Sequence, residues 1–313
     1  MVKLCLVQRM SRFRGKVTNF FGIMAVTAFF RNFARLCRLT AGRRLLPMLE
    51  LLSYPFFRNA LAGIVLVSLT CALAGTYVVT RRRVFLTGGI THACFGGLGL
   101  GYFCGVSPVL CAAAFAVAGA LGVDWLHRRQ VRSDSAVAVV WAAGMALGTL
   151  FVSLSDGYVP DLNAFLFGNV LTVTPSDLWL YLAFAVVLGL FYLLAYPYIV
   201  AVSFDADFAR TRRVPVTAVD TVMTVLTALS IVLTIKMIGI MLLISLMTLP
   251  QITAELFTAR YRRMLVYSAA LSVACSVGGL LVSYFISVPA SAAIVLLMIL
   301  AYAVARVIRA ASR

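Results

Sequence analysis

The chain has 313 residues, of which 63% are hydrophobic and 12% charged, and its formal net charge is +17. A soluble domain carries about 25% charged residues, so this composition excludes an ordinary soluble enzyme and predicts an all-α, polytopic helical membrane protein. The apolar runs continue for roughly twenty residues, the length of a membrane helix, whereas barrel strands alternate in segments of about ten.

Residues 1–47 differ from the rest, since they contain ten Lys or Arg and no acidic residue. Their apolar run at 20–30 is too short to cross a bilayer. We expect a basic N-terminal extension here, which is either a membrane-surface segment or the product of a wrongly assigned start codon. Met48 opens a stretch that reads like a natural beginning, and the transmembrane domain is predicted to cover 48–313.

Nine spanning helices are predicted after that point, at 57–79, 84–105, 107–126, 135–154, 177–203, 216–234, 236–252, 264–285 and 289–308. The connections after the first, third, fifth and seventh spans and the C-terminal tail are basic. The positive-inside rule therefore places them in the cytoplasm and attributes the net positive charge to orientation, not to nucleic-acid binding. Ten basic residues before the first span would break that rule, which favours their absence from the mature protein.

The second predicted span carries a histidine, His92, near its middle, and the chain has only two histidines. A polar side chain at membrane depth is costly and often marks a transport pathway, although a satisfied core imidazole is the alternative. Glycine costs about 1 kcal/mol relative to alanine in a helix interior and is kept in membranes where backbones approach closely. A tight, symmetric or sliding helix contact is therefore predicted from Gly144, Gly148 and the glycines around His92, which are Gly88, Gly89, Gly96, Gly97, Gly99, Gly101 and Gly105.

Two connections have patterns of their own. The outer segment 158–180 is too apolar for a free loop and too short to span, so a short interfacial or re-entrant helix is expected. The inner segment 203–216 predicts a short amphipathic helix, with Asp205 near its start, Phe208 facing a partner, and arginines at its end, where they suit the helix dipole.

Two residues near the predicted cytoplasmic face have a structural interpretation. Pro250 is expected to interrupt the seventh span, which is tolerated if a neighbour satisfies the freed carbonyl. Asp220 is interpreted as an interfacial anchor.

At these residues the sequence resembles the membrane permease of bacterial ABC transporters that take up zinc, manganese or iron, the ABC-3 type. The blocks that carry the resemblance, over about 50–308, are YPFFRNALAGIVL…GTYVVTRRRVFLTGGITHACFGGLGLGY, LNAFLFGNVLTVTPSDL, FDADFARTRRVPV and IKMIGIMLLISLMTLPQITAELFTARYRRML…SYFISVPASAAIVLL. The resemblance implies eight or nine transmembrane helices in the bacterial inner membrane and a homodimer with metal passing along its interface. It also implies a cytoplasmic ATPase dimer and an extracytoplasmic metal-binding protein as partners, and a divalent metal as transported substrate rather than as a bound cofactor.

The resemblance assigns roles to individual residues. The ATPase-coupling helix of the family falls on Asp205–Val216, where Asp205, Asp207, Phe208, Ala209 and Arg210 match, while Arg212 and Arg213 replace the usual leucine and glycine.

The metal-transit residues implied are His92 and Thr91, with Gly88, Gly89, Gly97 and Gly101 packing the pathway helix. The family usually places a carboxylate four residues before its histidine, on the same helix face, and here that position is Gly88. One imidazole per subunit is far from the four ligands of a stable zinc site, which suits transient passage.

Two alternatives to a metal-ion permease stay open. The cargo is a metal chelate in the first, although chelate permeases usually have more helices than this chain supplies. The second is a secondary transporter or intramembrane enzyme, but proton-driven carriers bury several carboxylates at mid-membrane, and the acids here lie mostly in loops. The sequence contains no GxxxxGK[ST] phosphate loop, so the chain is expected to be a transport subunit without a nucleotide site.

Overall fold

The computed structural model describes residues 53–155, 168, 170 and 173–311, and over these ranges the chain folds into ten α-helices without a strand. The helices are α1 Pro55–Thr80, α2 Val84–Cys104, α3 Pro108–Arg128, α4 Ser133–Ser153, α5 Pro175–Phe204, α6 Ala206–Thr211, α7 Val216–Ile238, α8 Ile240–Phe257, α9 Tyr261–Ile286 and α10 Ala290–Ala311. The basic extension at 1–47 and most of the outer segment for which an interfacial helix is predicted lie outside the described residues.

The number of predicted spans is confirmed for the described part of the chain. Every helix except α6 is long and apolar enough to cross a membrane, which makes nine. The short helix predicted within 203–216 is present as α6. The junction between the sixth and seventh spans lies at Gly239, where φ is 83°, and not at Lys236 as predicted.

Hydroxyl groups connect the helices in the interior. Thr70 of α1 lies 2.6 Å from the hydroxyl of Tyr181 on α5, which lies 2.7 Å from that of Thr234 on α7. Ser68 of α1 donates to Ser276 of α9 at 2.9 Å. In a bilayer apolar burial does not drive helix association, so close packing and interhelical hydrogen bonds take that role. These bonds place α1 at the centre of the bundle.

The expected interruption at Pro250 is wrong, because α8 continues through it from Ile240 to Phe257. Proline has no N–H to donate to the carbonyl four residues earlier, which belongs to Leu246. The carboxamide of Gln251 donates to that carbonyl at 3.1 Å and to the carbonyl of Cys71 on α1 at 3.0 Å. The freed carbonyl is therefore satisfied from within the bundle.

Candidate functional site

The site is built around α2, which lies between α3 and α4. Glycines on α2 and α4 allow these helices to approach one another closely. A Cβ on Gly97 would lie 2.6 Å from the Cα of Ala112 on α3, and one on Gly89 would lie 2.6 Å from a methyl of Val137 on α4. Gly101 is equally close to α3, and Gly144 of α4 would meet the backbone of Ala93. These glycine faces are filled within the chain, and not by a symmetric copy.

The tightness of this packing predicts a stability difference between two glycines of the same helix. Gly97→Ala places its methyl against backbone atoms of Cys111 and Ala112, which cannot move without shifting α3. Overpacking costs about 1–3 kcal/mol, so we expect a lower thermal unfolding midpoint for the detergent-purified protein.

Gly88→Ala is the matched control, because the nearest atom to its Cβ is a ring carbon of Trp141 at 3.8 Å. Alanine is the better helix former by about 1 kcal/mol, so this midpoint should stay equal or rise. Equal midpoints for the two variants would contradict the packing described here.

His92 is half-buried on the face of α2 turned toward α4. Its ring stacks on the indole of Trp141, with centroids 4.1 Å apart and planes 11° from parallel. Both imidazole nitrogens lie at the ring edge, and among the described residues no hydrogen-bond partner engages them. The imidazole is thus held by its face and keeps its ligating edge available.

Thr91 does not join His92. Its side chain is fully buried, and its hydroxyl donates to the carbonyl of Thr87 in the same helix at 2.7 Å. Consecutive residues of an α-helix point about 100° apart, which explains the separation. A transit role for Thr91 stays a prediction.

The described part of one copy of this chain assembles no closed metal site. In the ranges 53–155 and 173–311, no group of three or more His, Cys, Asp or Glu side chains could hold a metal ion. A single imidazole is therefore the donor that the α2 face offers.

The short helix α6 has one buried and several exposed positions. Asp205 caps it, accepting from the backbone N–H groups of Asp207 at 3.1 Å and Phe208 at 2.9 Å. Ala209 is buried against the surrounding helices. Phe208 is 55% exposed, and Arg210 pairs with Asp207 at 2.8 Å on the outer surface. The five residues matched by resemblance therefore form one capped helix that presents an apolar ring and an ion pair outward.

An ion-pair network lies next to α6. The sequence predicted an interfacial role for only one of its members, Asp220. Asp220 accepts from Arg81 at 3.1 Å, from Arg83 at 2.9 Å and from the hydroxyl of Tyr77. Arg83 also reaches Asp124 of α3 at 3.5 Å. The network therefore links the ends of α1, α3 and α7 to the start of α2. The sequence carries no signal that separates these arginines, because 81–83 is a run of three, of which only Arg82 is exposed in the structure.

A comparison with known families matches residues 53–309 to the ABC 3 transport family. Among the relatives is an uncharacterized membrane protein of Synechocystis, 34% identical over 84% of this chain and 94% of that protein. A "Probable metal transport system membrane protein" of Chlamydia pneumoniae is also 34% identical, over 82% and 88%. The manganese transport system membrane protein MntC of Halalkalibacterium halodurans is 30% identical, over 82% and 88%.

Two solved structures share the fold. PsaBC from Streptococcus pneumoniae, in complex with Fab, matches with a TM-score of 0.74 at 24% identity, covering 82% of this chain and 93% of that one. The second, described as "An inward-facing conformation of a putative metal-chelate type ABC transporter", matches with a TM-score of 0.66 at 15% identity, covering 81% of this chain and 86% of that one.

Proposed function

Because the chain belongs to the ABC 3 transport family, we propose that it is the permease subunit of an ABC importer that moves a divalent transition-metal ion across the bacterial inner membrane. A separate ATPase subunit would supply the energy. The observation that carries the proposal is His92, a half-buried imidazole inside a helix long enough to span a membrane, whose nitrogens are engaged by no other described residue.

Zinc is the first metal to test. Imidazole suits zinc and iron, whereas manganese prefers carboxylate, carbonyl and water oxygens, and the family's usual carboxylate position is Gly88 here. The related proteins from Halalkalibacterium and Listeria are named for manganese transport, so manganese is the competing ion. Iron is the third.

The transporter would be a homodimer in which two copies of His92 border one path, since a two-fold axis presents the same surface patch from both subunits. The half-buried position of His92 supports this arrangement, because the ring is not enclosed by its own chain. An extracytoplasmic metal-binding protein would deliver the ion at the opposite end from α6.

The cytoplasmic ATPase dimer would dock on α6. Docking there would put the C-terminus in the cytoplasm, together with the helix ends that carry Arg81, Asp220 and Arg260. The basic connections predict the same orientation. Phe208 supports the docking surface, because an aromatic ring 55% exposed beside the guanidinium of Arg212 resembles the anchors of protein interfaces.

The test is metal uptake by proteoliposomes that contain the chain and its ATPase, with the extracytoplasmic metal-binding protein supplied on the side that it would face. Wild-type protein should accumulate Zn²⁺ only when ATP is present, and uptake should depend on α6. Phe208→Ala should lower both ATPase co-purification and ATP-driven uptake about tenfold or more, since loss of an interface anchor costs about 2 kcal/mol or more.

Phe85→Ala is the matched control, because Phe85 is 73% exposed at the start of α2 on the same side of the bundle. It should bind the ATPase and transport like wild type. Uptake of a metal chelate but of no free ion would refute the metal-ion proposal in favour of chelate transport. An equal loss of ATPase binding and uptake in both variants would refute the docking role of Phe208.

A further inference from the structure

Trp141 and Gly88 lie next to His92, and the resemblance gives neither of them a part in holding the metal. Gly88 lies one helical turn before His92, and its hypothetical Cβ would be 3.8 Å from the Trp141 ring. The same indole stacks on His92 at 4.1 Å. One aromatic ring from α4 therefore covers both positions of α2.

The stack restricts the imidazole. Parallel aromatic rings at this separation attract each other by about 0.5–1.5 kcal/mol beyond the area they bury. Rotation of the imidazole out of the parallel plane breaks that contact, so the indole fixes the plane in which its nitrogens point. A ligand whose orientation is fixed in advance binds metal more tightly than a freely rotating one, and partners that orient a ligating histidine are worth 10- to 100-fold in metal affinity.

The indole also borders the position of Gly88. A Cβ there would be in ordinary van der Waals contact with a ring carbon of Trp141 at 3.8 Å. The indole therefore lines this side of His92 with an apolar surface, and Gly88 adds no side-chain oxygen to it. Since manganese depends on oxygen ligands more than zinc does, this arrangement discriminates between the two ions.

We propose that Trp141 is a positioning residue for His92, which fixes the ring plane of the imidazole and lines its surroundings with an apolar ring instead of an oxygen ligand, so that the path favours Zn²⁺ over Mn²⁺. The part of the proposal that concerns metal rests on the proposed function. The part that concerns the stack does not.

The stack is tested first, without metal or transport. The chain has three tryptophans, so Trp125→Phe with Trp179→Phe leaves Trp141 as the single indole of the purified full chain. Adding His92→Leu should change its emission intensity and maximum, because the contacting imidazole is lost. Identical emission spectra with and without His92 would overturn the stack whatever the transport result.

Positioning is tested in the uptake assay with Trp141→Phe and Trp141→Leu. Phenylalanine retains a ring to stack on and should keep the KM for Zn²⁺ within about threefold. Leucine retains bulk without a stacking face and should raise the KM about tenfold, with kcat little changed. Equal KM values for the two variants would overturn the positioning role. Absence of uptake by wild type would instead refute the proposed function.

Discrimination is tested with Gly88→Asp, Trp141→Ala and the double variant. The carboxylate should raise Mn²⁺ uptake relative to Zn²⁺ most strongly when the indole is also removed, because the apolar ring otherwise borders its position. Residues in contact show such non-additivity. Additive effects, or a full change of preference from Gly88→Asp alone, would overturn the role of the indole in metal discrimination.

Discussion

Alanine in place of His92 is expected to reduce Zn²⁺ uptake to the level of vesicles that lack the permease, and to abolish metal-dependent growth under chelation. The imidazole is the one donor that this face of α2 offers in the described structure, and its ring nitrogens are engaged by no other described residue. With the donor removed, a dehydrated divalent ion would meet apolar walls, where an unpaired charge is very costly. We expect a loss of at least about tenfold, since even partners that act through a ligand are worth this much.

The chain supplies a matched control in its other histidine. His127 is exposed near the end of α3, where its Nδ1 lies 3.0 Å from the hydroxyl of Ser133. His127→Ala should transport and support growth like wild type. Both variants should be present in the membrane in similar amounts, because the His92 ring is held by one aromatic contact. Full growth of the His92→Ala strain would refute the pathway role.

The second large effect is structural and concerns Asp220. Its carboxylate is the shared acceptor for Arg81, Arg83 and Tyr77, and the side chains of the three charged residues are only 15–21% exposed. Asp220→Ala leaves two guanidinium groups without this partner in a poorly solvated place. Breaking a buried pair costs about 3–5 kcal/mol, and partial exposure reduces this to about 2–3 kcal/mol.

We expect the thermal unfolding midpoint of Asp220→Ala to fall by about 5 °C or more, with less protein in the membrane. Asp220→Asn should lie between this variant and wild type, because its amide oxygen still accepts a hydrogen bond. The control is Asp207→Ala, which breaks an ion pair with side chains 63% and 89% exposed, and exposed pairs contribute about 0–1 kcal/mol. A midpoint for Asp220→Ala equal to that of Asp207→Ala would show that the network adds no stability.

The spans were predictable because each is a continuous apolar run of membrane length, and the α6 helix because Asp205 and the following arginines match the two ends of a helix dipole. The α7–α8 junction was not predictable from the sequence, since the hydropathy does not change there. The chain turns at Gly239, whose positive φ of 83° favours glycine, and Lys236 stays in the last turn of α7, paired with Asp177 at 2.5 Å.

The individual residues of the site were predictable from the sequence, but the contacts between them were not. His92 was recognisable as a polar residue inside a span, and the glycines as a close-packing face. Their partners were not, because Trp141 and Val137 lie two helices later in the chain, and sequence spacing does not say that α4 packs on α2. The continuation of α8 through Pro250 likewise depended on the side chain of Gln251, whose hydrogen bonds are visible only in three dimensions.

Gln251 has a mechanical consequence for the helix bundle. One fully buried carboxamide bonds the carbonyl of its own helix and that of Cys71, so α8 is attached to α1 at the depth where a proline would otherwise allow bending. Both bonds are buried within the protein. In the described bundle, α1 and α8 are therefore joined by a hydrogen bond as well as by packing, which opposes bending of α8 at Pro250.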